Sequence, residues 1–199
     1  MDGGATVTAR ADVVGGKRAH LWRMLGWGTA ALMLLAPLVA MQLTDHVAWD
    51  AFDFAFMGAL LGGVGLGMEL AVRKTGNAAY RTAAAVALTA TFLLVWINAA
   101  VGMIGSEQED ANLLYGGVLA VGLIGAAIAR FRPGGLARAM AATAVAQAMV
   151  LAIAPISGAG STALVWSPDV LVLTGFFAAM WLLSAWLFRK AATSARDGR

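Results

Sequence analysis

Only one carboxylate of this chain, Glu69, falls inside a long apolar run and away from its acidic edge. A carboxylate in hydrocarbon is costly and defaults to a functional reading, here a group that accepts a proton or a cation. The competing assignment is an ion pair with Arg73 at i+4, in the orientation that suits a helix. A second group of acids comes from two separate polar segments: Asp50 and Asp53, then Glu107, Glu109 and Asp110. His46, Asn112 and Tyr115 are close to them in sequence. Hard cations prefer several carboxylate oxygens, so convergence of these segments would make a cation entrance. Each acid also makes sense as a helix cap or a dipole partner. Two polar stripes complete the inventory. Thr91, Asn98, Gly102 and Gly105 are spaced seven, four and three apart, and Thr143 and Gln147 are spaced at i, i+4. Such side chains either hydrogen-bond between helices, at about 0.6 kcal/mol each, or line a path for water or ions.

Several chemistries are excluded. His20 and His46 are the only histidines and lie near opposite ends of one apolar stretch, so they cannot hold a haem at one depth. Cysteine is absent, which removes disulfides, thiol catalysis and thiolate-bound metals. No H-E-x-x-H, G-x-S-x-G or phosphate-binding glycine loop occurs. The acids bring no accompanying substrate pocket, and no ladder of arginines enters an apolar run. The reading is therefore of a non-enzymatic chain with no metal and no cofactor. The sequence pI of 9.8 does not indicate nucleic acid, because the cations sit at the edges of apolar runs and form no long basic block.

The elements that must position these residues are unusually apolar. The 199 residues are 60% hydrophobic and only 13% charged, where a soluble domain is about 25% charged. Six runs stand out, at 22–43, 51–72, 82–104, 110–129, 137–156 and 169–188. Each is about 20 residues, the length of a helix crossing the hydrocarbon core. They are continuously apolar rather than alternating, which predicts helices and not a barrel. All fourteen Lys and Arg residues lie on one side of this pattern. Arg10, Lys17, Arg18 and Arg23 precede or enter the first run; Arg73, Lys74 and Arg81 separate the second and third. Arg130, Arg132 and Arg138 separate the fourth and fifth, and Arg189, Lys190, Arg196 and Arg199 follow the sixth. Asp45, Asp50, Asp53, Glu107, Glu109, Asp110 and Asp169 fall on the other side. Cationic short loops stay in the cytoplasm. The prediction is an all-α bundle of six transmembrane helices in a bacterial inner membrane, with both termini cytoplasmic. Residues 1–20 and 191–199 are expected as cytoplasmic tails around a membrane domain at 21–190. The first run is too long for a signal-peptide core and no A-x-A site follows it, so it is expected to remain as a span.

Boundary chemistry agrees. Ser106 to Glu109 fits a capping box, and Ser167-Pro168-Asp169 offers a cap, a first-turn proline and an acid. Gly76 and Gly134 are expected as helix stops after basic turns. Gly58, Gly62 and Gly65 share one face of the second helix with Glu69, a stripe suited to close helix packing in lipid. Asp53–Arg73, Asp110–Arg130 and Asp169–Arg189 share a spacing of 20. This is either a tripled hairpin or the common imprint of membrane thickness and helix dipoles.

From about Trp49 to Val150 the chain resembles a group of bacterial multi-pass integral membrane proteins with no assigned function. The residues that carry the resemblance are Phe52-Asp53-Phe54, the run from Trp96 to Glu107 with Asn112 to Tyr115, and Ile128 to Met140. It implies membrane location and a multi-span helical architecture, and no activity. The expected role is a structural or accessory subunit, in contact with the bilayer and with a second copy or another membrane protein. The alternative is a small cation- or proton-conducting transporter with an acidic outer entrance.

Overall fold

The computed structural model describes residues 3–44, 46–105, 109–158 and 161–197, and these form helices without strands. The elements are α1 Gly3–Leu43, α2 Ala51–Lys74, α3 Ala78–Ala100, a 3-10 turn Asp110–Leu113 leading into α4 Leu114–Ile128, α5 Pro133–Ile156, the short α6 Thr162–Val165, and α7 Pro168–Asp197. Among the described residues, six helices are long and apolar enough to cross a bilayer. The chain is an all-helical, multi-pass membrane protein.

Boundaries depart from the sequence reading in four places. Helix α1 starts at Gly3, and α7 continues to Asp197, so helix covers most of both segments expected as tails. Once a helix exists, each further residue gains a backbone bond for little added ordering. Helix α3 stops at Ala100 rather than at 104. Gly102 and Gly105 take φ of 77° and 67° there, a left-handed backbone that glycine adopts without strain. Gly134 does not end a helix; it lies in the first turn of α5, which Pro133 opens. The reversal before it is made by Arg130 and Phe131, both left-handed at φ 49° and 56°. The Phe131 amide bonds back to the Ala126 carbonyl at 3.2 Å, the long-range closure of a Schellman end. Ser106, Glu107 and Gln108, the core of the expected capping box, lie outside the described residues.

The chain divides into two compact units, Met1–Leu66 and Gly67–Arg199. In the first, the ring of Trp27 on α1 lies against Gly65 of α2, where an added Cβ would meet it at 3.1 Å. A Cβ on Gly58 or Gly62 of the same stripe would meet nothing within 4 Å among the described residues. Trp49 and Phe54 meet edge to face at 5.3 Å across the start of α2.

In the second unit, α5 and α7 are the central pair. Helix α3 packs on α7, and α4 packs on α5. Each helix offers a stripe with alternating steps of four and three. On α7 it is Val170, Thr174, Phe177, Trp181, Ser184 and Phe188; on α5 it is Leu136, Met140, Thr143, Gln147, Val150 and Ala154. That spacing is the seam of helices crossing at a shallow angle. Ser184 donates to the Ala83 carbonyl at 2.9 Å, tying α7 to α3 in a fully buried position. Helices α4 and α5 approach closely. A Cβ on Gly125 would fall 2.8 Å from the Ala139 Cβ, and one on Gly122 would fall 3.2 Å from the Thr143 hydroxyl. Gly135, at the base of α5, is crowded by Ala129 in the same way. These glycines of α4 and α5 were not singled out in the sequence, where the longer stripe on α2 drew attention.

Alanine at Gly125 is expected to lower stability by about 1–3 kcal/mol, because α4 must move off α5. Alanine at Gly62 is expected to raise it by about 0.5–1 kcal/mol through helix propensity alone. Thermal unfolding of both variants in mild detergent checks this, and equal effects would contradict the packing described.

Candidate functional site

The residues singled out in the sequence reach different fates. Asp50 Oδ1 accepts from the Phe52 and Asp53 amides at 2.7 and 3.0 Å, and Asp53 Oδ2 accepts from the Asp50 amide at 2.9 Å. The structure brings these two acids together as a reciprocal capping box that opens α2. Glu109 sits at the cap position of the 3-10 turn without a side-chain cap bond, and Asp110 is in its first turn. Glu107 lies outside the described residues. Among the described residues no three His, Asp or Glu side chains are grouped to hold a metal ion. Glu69 pairs with Arg73 at i+4, its side chain only 17% exposed.

Asn98 and Asn112 build the end of the second unit away from the basic turns. Asn112 is buried, and its Oδ1 accepts from both the Met103 and Ile104 amides at 2.9 Å. Its Nδ2 donates to the Ile104 carbonyl, and Asn98 Nδ2 donates to the Asn112 carbonyl at 3.2 Å. One amide side chain thus satisfies the backbone left open where α3 stops.

Deeper in, the polar stripe changes character. Thr143 is fully buried and donates to the Ala139 carbonyl of its own helix. Gln147 is also fully buried, and neither amide atom has a partner among the described residues. The Tyr115 and Thr174 hydroxyls are buried too, and neither closes a hydrogen bond of ordinary geometry among the described residues. Trp181 Nε1 is buried without an acceptor among the described residues. A polar group left unpaired in such surroundings costs about 1–3 kcal/mol.

One cavity of about 600 Å³ lies between α3 and α4, with Gly67, Leu70 and Ala71 of α2 also along it, within the size range of ligand pockets. Small residues create it: Ala84 and Ala87 on α3 face Gly122 and Ala126 on α4. Leu136, Met140 and Thr143 of α5 and Trp181 and Phe188 of α7 form its floor. Leu88, Thr91, Leu119 and Leu123 add to the walls. Thr91 and Thr143 are the candidate polar residues from the sequence that line it; Glu69, Asn98 and Gln147 do not.

The last turn of α2 closes one end, with Arg73 and Lys74 beside Phe131 and Tyr80. Lys74 donates to the Arg130 carbonyl at 3.3 Å and stands 5.4 Å over the Phe131 ring. The Tyr80 hydroxyl donates to the Phe131 carbonyl at 3.0 Å, and its ring meets Phe188 edge to face at 5.1 Å. Both carbonyls of the left-handed turn are therefore held by side chains from α2 and α3. The Asn77 side chain caps α3 through the Tyr80 amide at 3.1 Å, which fixes where Tyr80 starts its climb. Arg81 donates to the Thr75 and Val72 carbonyls, completing the end of α2. The basic turns that follow α2 and α4 are thus joined at one end of this unit. Sequence reading placed these cations at a membrane edge and missed Tyr80 and Trp181, since nothing in their spacing separates them from interfacial or core aromatics.

No family model matches the chain, and no curated protein or solved structure matches it either.

Replacing Asn112 with Ala is expected to cost about 2–4 kcal/mol, since two buried amides lose their acceptor at once. Tyr80→Phe keeps the ring on Phe188 and is expected to cost about 1 kcal/mol for the lost bond to the turn. Unfolding of each variant in the same detergent measures the difference, and an Asn112 variant as stable as the parent would contradict the assigned network.

Proposed function

We propose that this chain is a non-enzymatic accessory subunit of a bacterial inner membrane, with both termini and the basic turns on the cytoplasmic side. The orientation is supported by the sorting of all fourteen cations to one side of the spans, which short loops obey strongly. The observation that carries the accessory role is the small-residue stripe at Gly58 and Gly62, on an apolar helix, which meets no described residue of its own unit within 4 Å. In lipid, small residues on an uncovered face favour association with another helix. A second copy of the chain or another membrane protein fits that face. The acids support the same reading, because Asp50, Asp53 and Glu69 are engaged in a cap and an ion pair.

A second reading, a small conductor of protons or cations, is favoured by one observation. Gln147, Tyr115, Thr174 and Trp181, on α4, α5 and α7, carry buried polar atoms without hydrogen-bond partners among the described residues. A chain of polar groups through the membrane interior is what a proton or ion path requires.

The absence of cysteine makes single-cysteine variants clean probes. A membrane-impermeant maleimide should leave Thr75→Cys unlabelled in intact cells and label it after lysis, whereas Ser161→Cys should label in both. The reverse pattern would overturn the orientation. Short-range crosslinking in membranes should trap a larger species from Gly58→Cys or Gly62→Cys and none from Ala90→Cys, which is fully buried. A monomer at all three sites would count against the accessory role. In proteoliposomes the accessory reading expects no proton or cation flux above empty vesicles; flux that falls with Glu69→Gln, Asp53→Asn or Gln147→Leu would establish the second reading instead.

A further inference from the structure

We propose that the groove between α3 and α4 binds an anionic phospholipid, with one acyl chain along the groove and the phosphate at Lys74. The proposal concerns a ligand of this unit and holds whether or not the chain has a protein partner. The walls are almost wholly apolar over the length that Leu88, Leu119, Leu123 and Met140 line. The charge is confined to one end, where Arg73 and Lys74 line the groove. An apolar slot that ends in cations is complementary to an amphiphile with a negative head, and basic pockets between membrane helices bind such headgroups.

Lys74 is already held in place. Its ammonium spans the Arg130 carbonyl at 3.3 Å and the face of Phe131 at 5.4 Å. An ammonium has three donors, so a carbonyl and a phosphate can share it. Glu69, one turn before Arg73, is paired with it and does not line the groove, and no acid is among the lining residues described. Arg81, on the neighbouring turn, donates to the backbone of α2 and leaves the sign of the site positive. An independent observation lies on the floor. Trp181 lines the groove, is 2% exposed, and its Nε1 has no acceptor among the described residues. The ester oxygens that a phospholipid carries below its phosphate are acceptors of the kind this donor lacks.

The test is native mass spectrometry of the whole chain in mild detergent, titrated with phosphatidylglycerol and with phosphatidylcholine of the same acyl chains. One phosphatidylglycerol should be retained per chain, at least about fivefold tighter than phosphatidylcholine, the scale of one basic side chain at a membrane surface. Lys74→Gln should weaken phosphatidylglycerol by about the same factor. Leu123→Trp fills the groove from a position that is 68% exposed, so folding should survive while lipid retention falls. Equal binding of the two lipids would overturn the headgroup assignment. Retention unchanged in the Leu123 variant, or displacement by inorganic phosphate alone, would overturn the acyl-chain groove.

Discussion

A polar group inside a membrane has no solvent to return to, so the protein must supply its partner. Much of the second unit follows from that constraint. Helix α3 ends early at two left-handed glycines, and the amides that this exposes are met by a single side chain, Asn112. The chain reversal between α4 and α5 leaves the carbonyls of Arg130 and Phe131 outside any helix, and Lys74 and Tyr80 meet them. Ser184 does the same between α7 and α3. Two ends of the bundle are thus sewn by side chains that in a soluble protein could be replaced by water.

Helix packing answers to a different force. Lipid tails are as apolar as leucine, so burial of large apolar residues does not distinguish inside from outside here. Large residues such as Phe177 and Trp181 lie inside as well, so close approach rests on the small and polar residues between them. The inward stripes carry Gly122, Gly125, Thr143, Gln147, Thr174 and Ser184, while Leu123, Ile124, Val145, Met149, Leu182 and Leu183 are exposed. Small residues allow close approach, and that approach supplies the dispersion contacts that hold helices together in lipid. Where small residues face each other without the helices closing, as Ala87 and Gly122 do, a groove remains.

This explains what the sequence disclosed. Span lengths were legible, because hydrocarbon thickness acts on composition alone. The observed helices start and stop within a few residues of the expected positions for most spans. The Asp50–Asp53 cap and the Glu69–Arg73 pair were each visible as one of two alternatives, since local spacing fixes local bonds. Contacts between helices were not legible. The α2 glycines and the α4 glycines have similar spacing, yet only Gly122 and Gly125 meet a neighbour of α5. An apolar helix gives no hydrophobic contrast from which to read its buried face. The stop of α3 at Ala100 was hidden for a related reason: Val101, Met103 and Ile104 are as apolar as a helix interior, and only Asn112, eight residues beyond Ile104, makes their loop conformation affordable.

The reversal at Arg130 and Phe131 is the least economical feature of the fold and the most informative. A left-handed backbone costs roughly 1–2 kcal/mol for each residue with a side chain, and glycine would remove most of that cost. The chain places glycine in plenty nearby, at Gly134 and Gly135, but not at these two positions. Phe131 instead supplies a ring under the Lys74 ammonium and part of the wall at the end of the groove, and both carbonyls of the turn are bonded by side chains of other helices. Strain that the surroundings hold in place is a reason to look for what the strained residues do. Here they fix one cation at the mouth of an apolar cleft, which a relaxed glycine turn would not do.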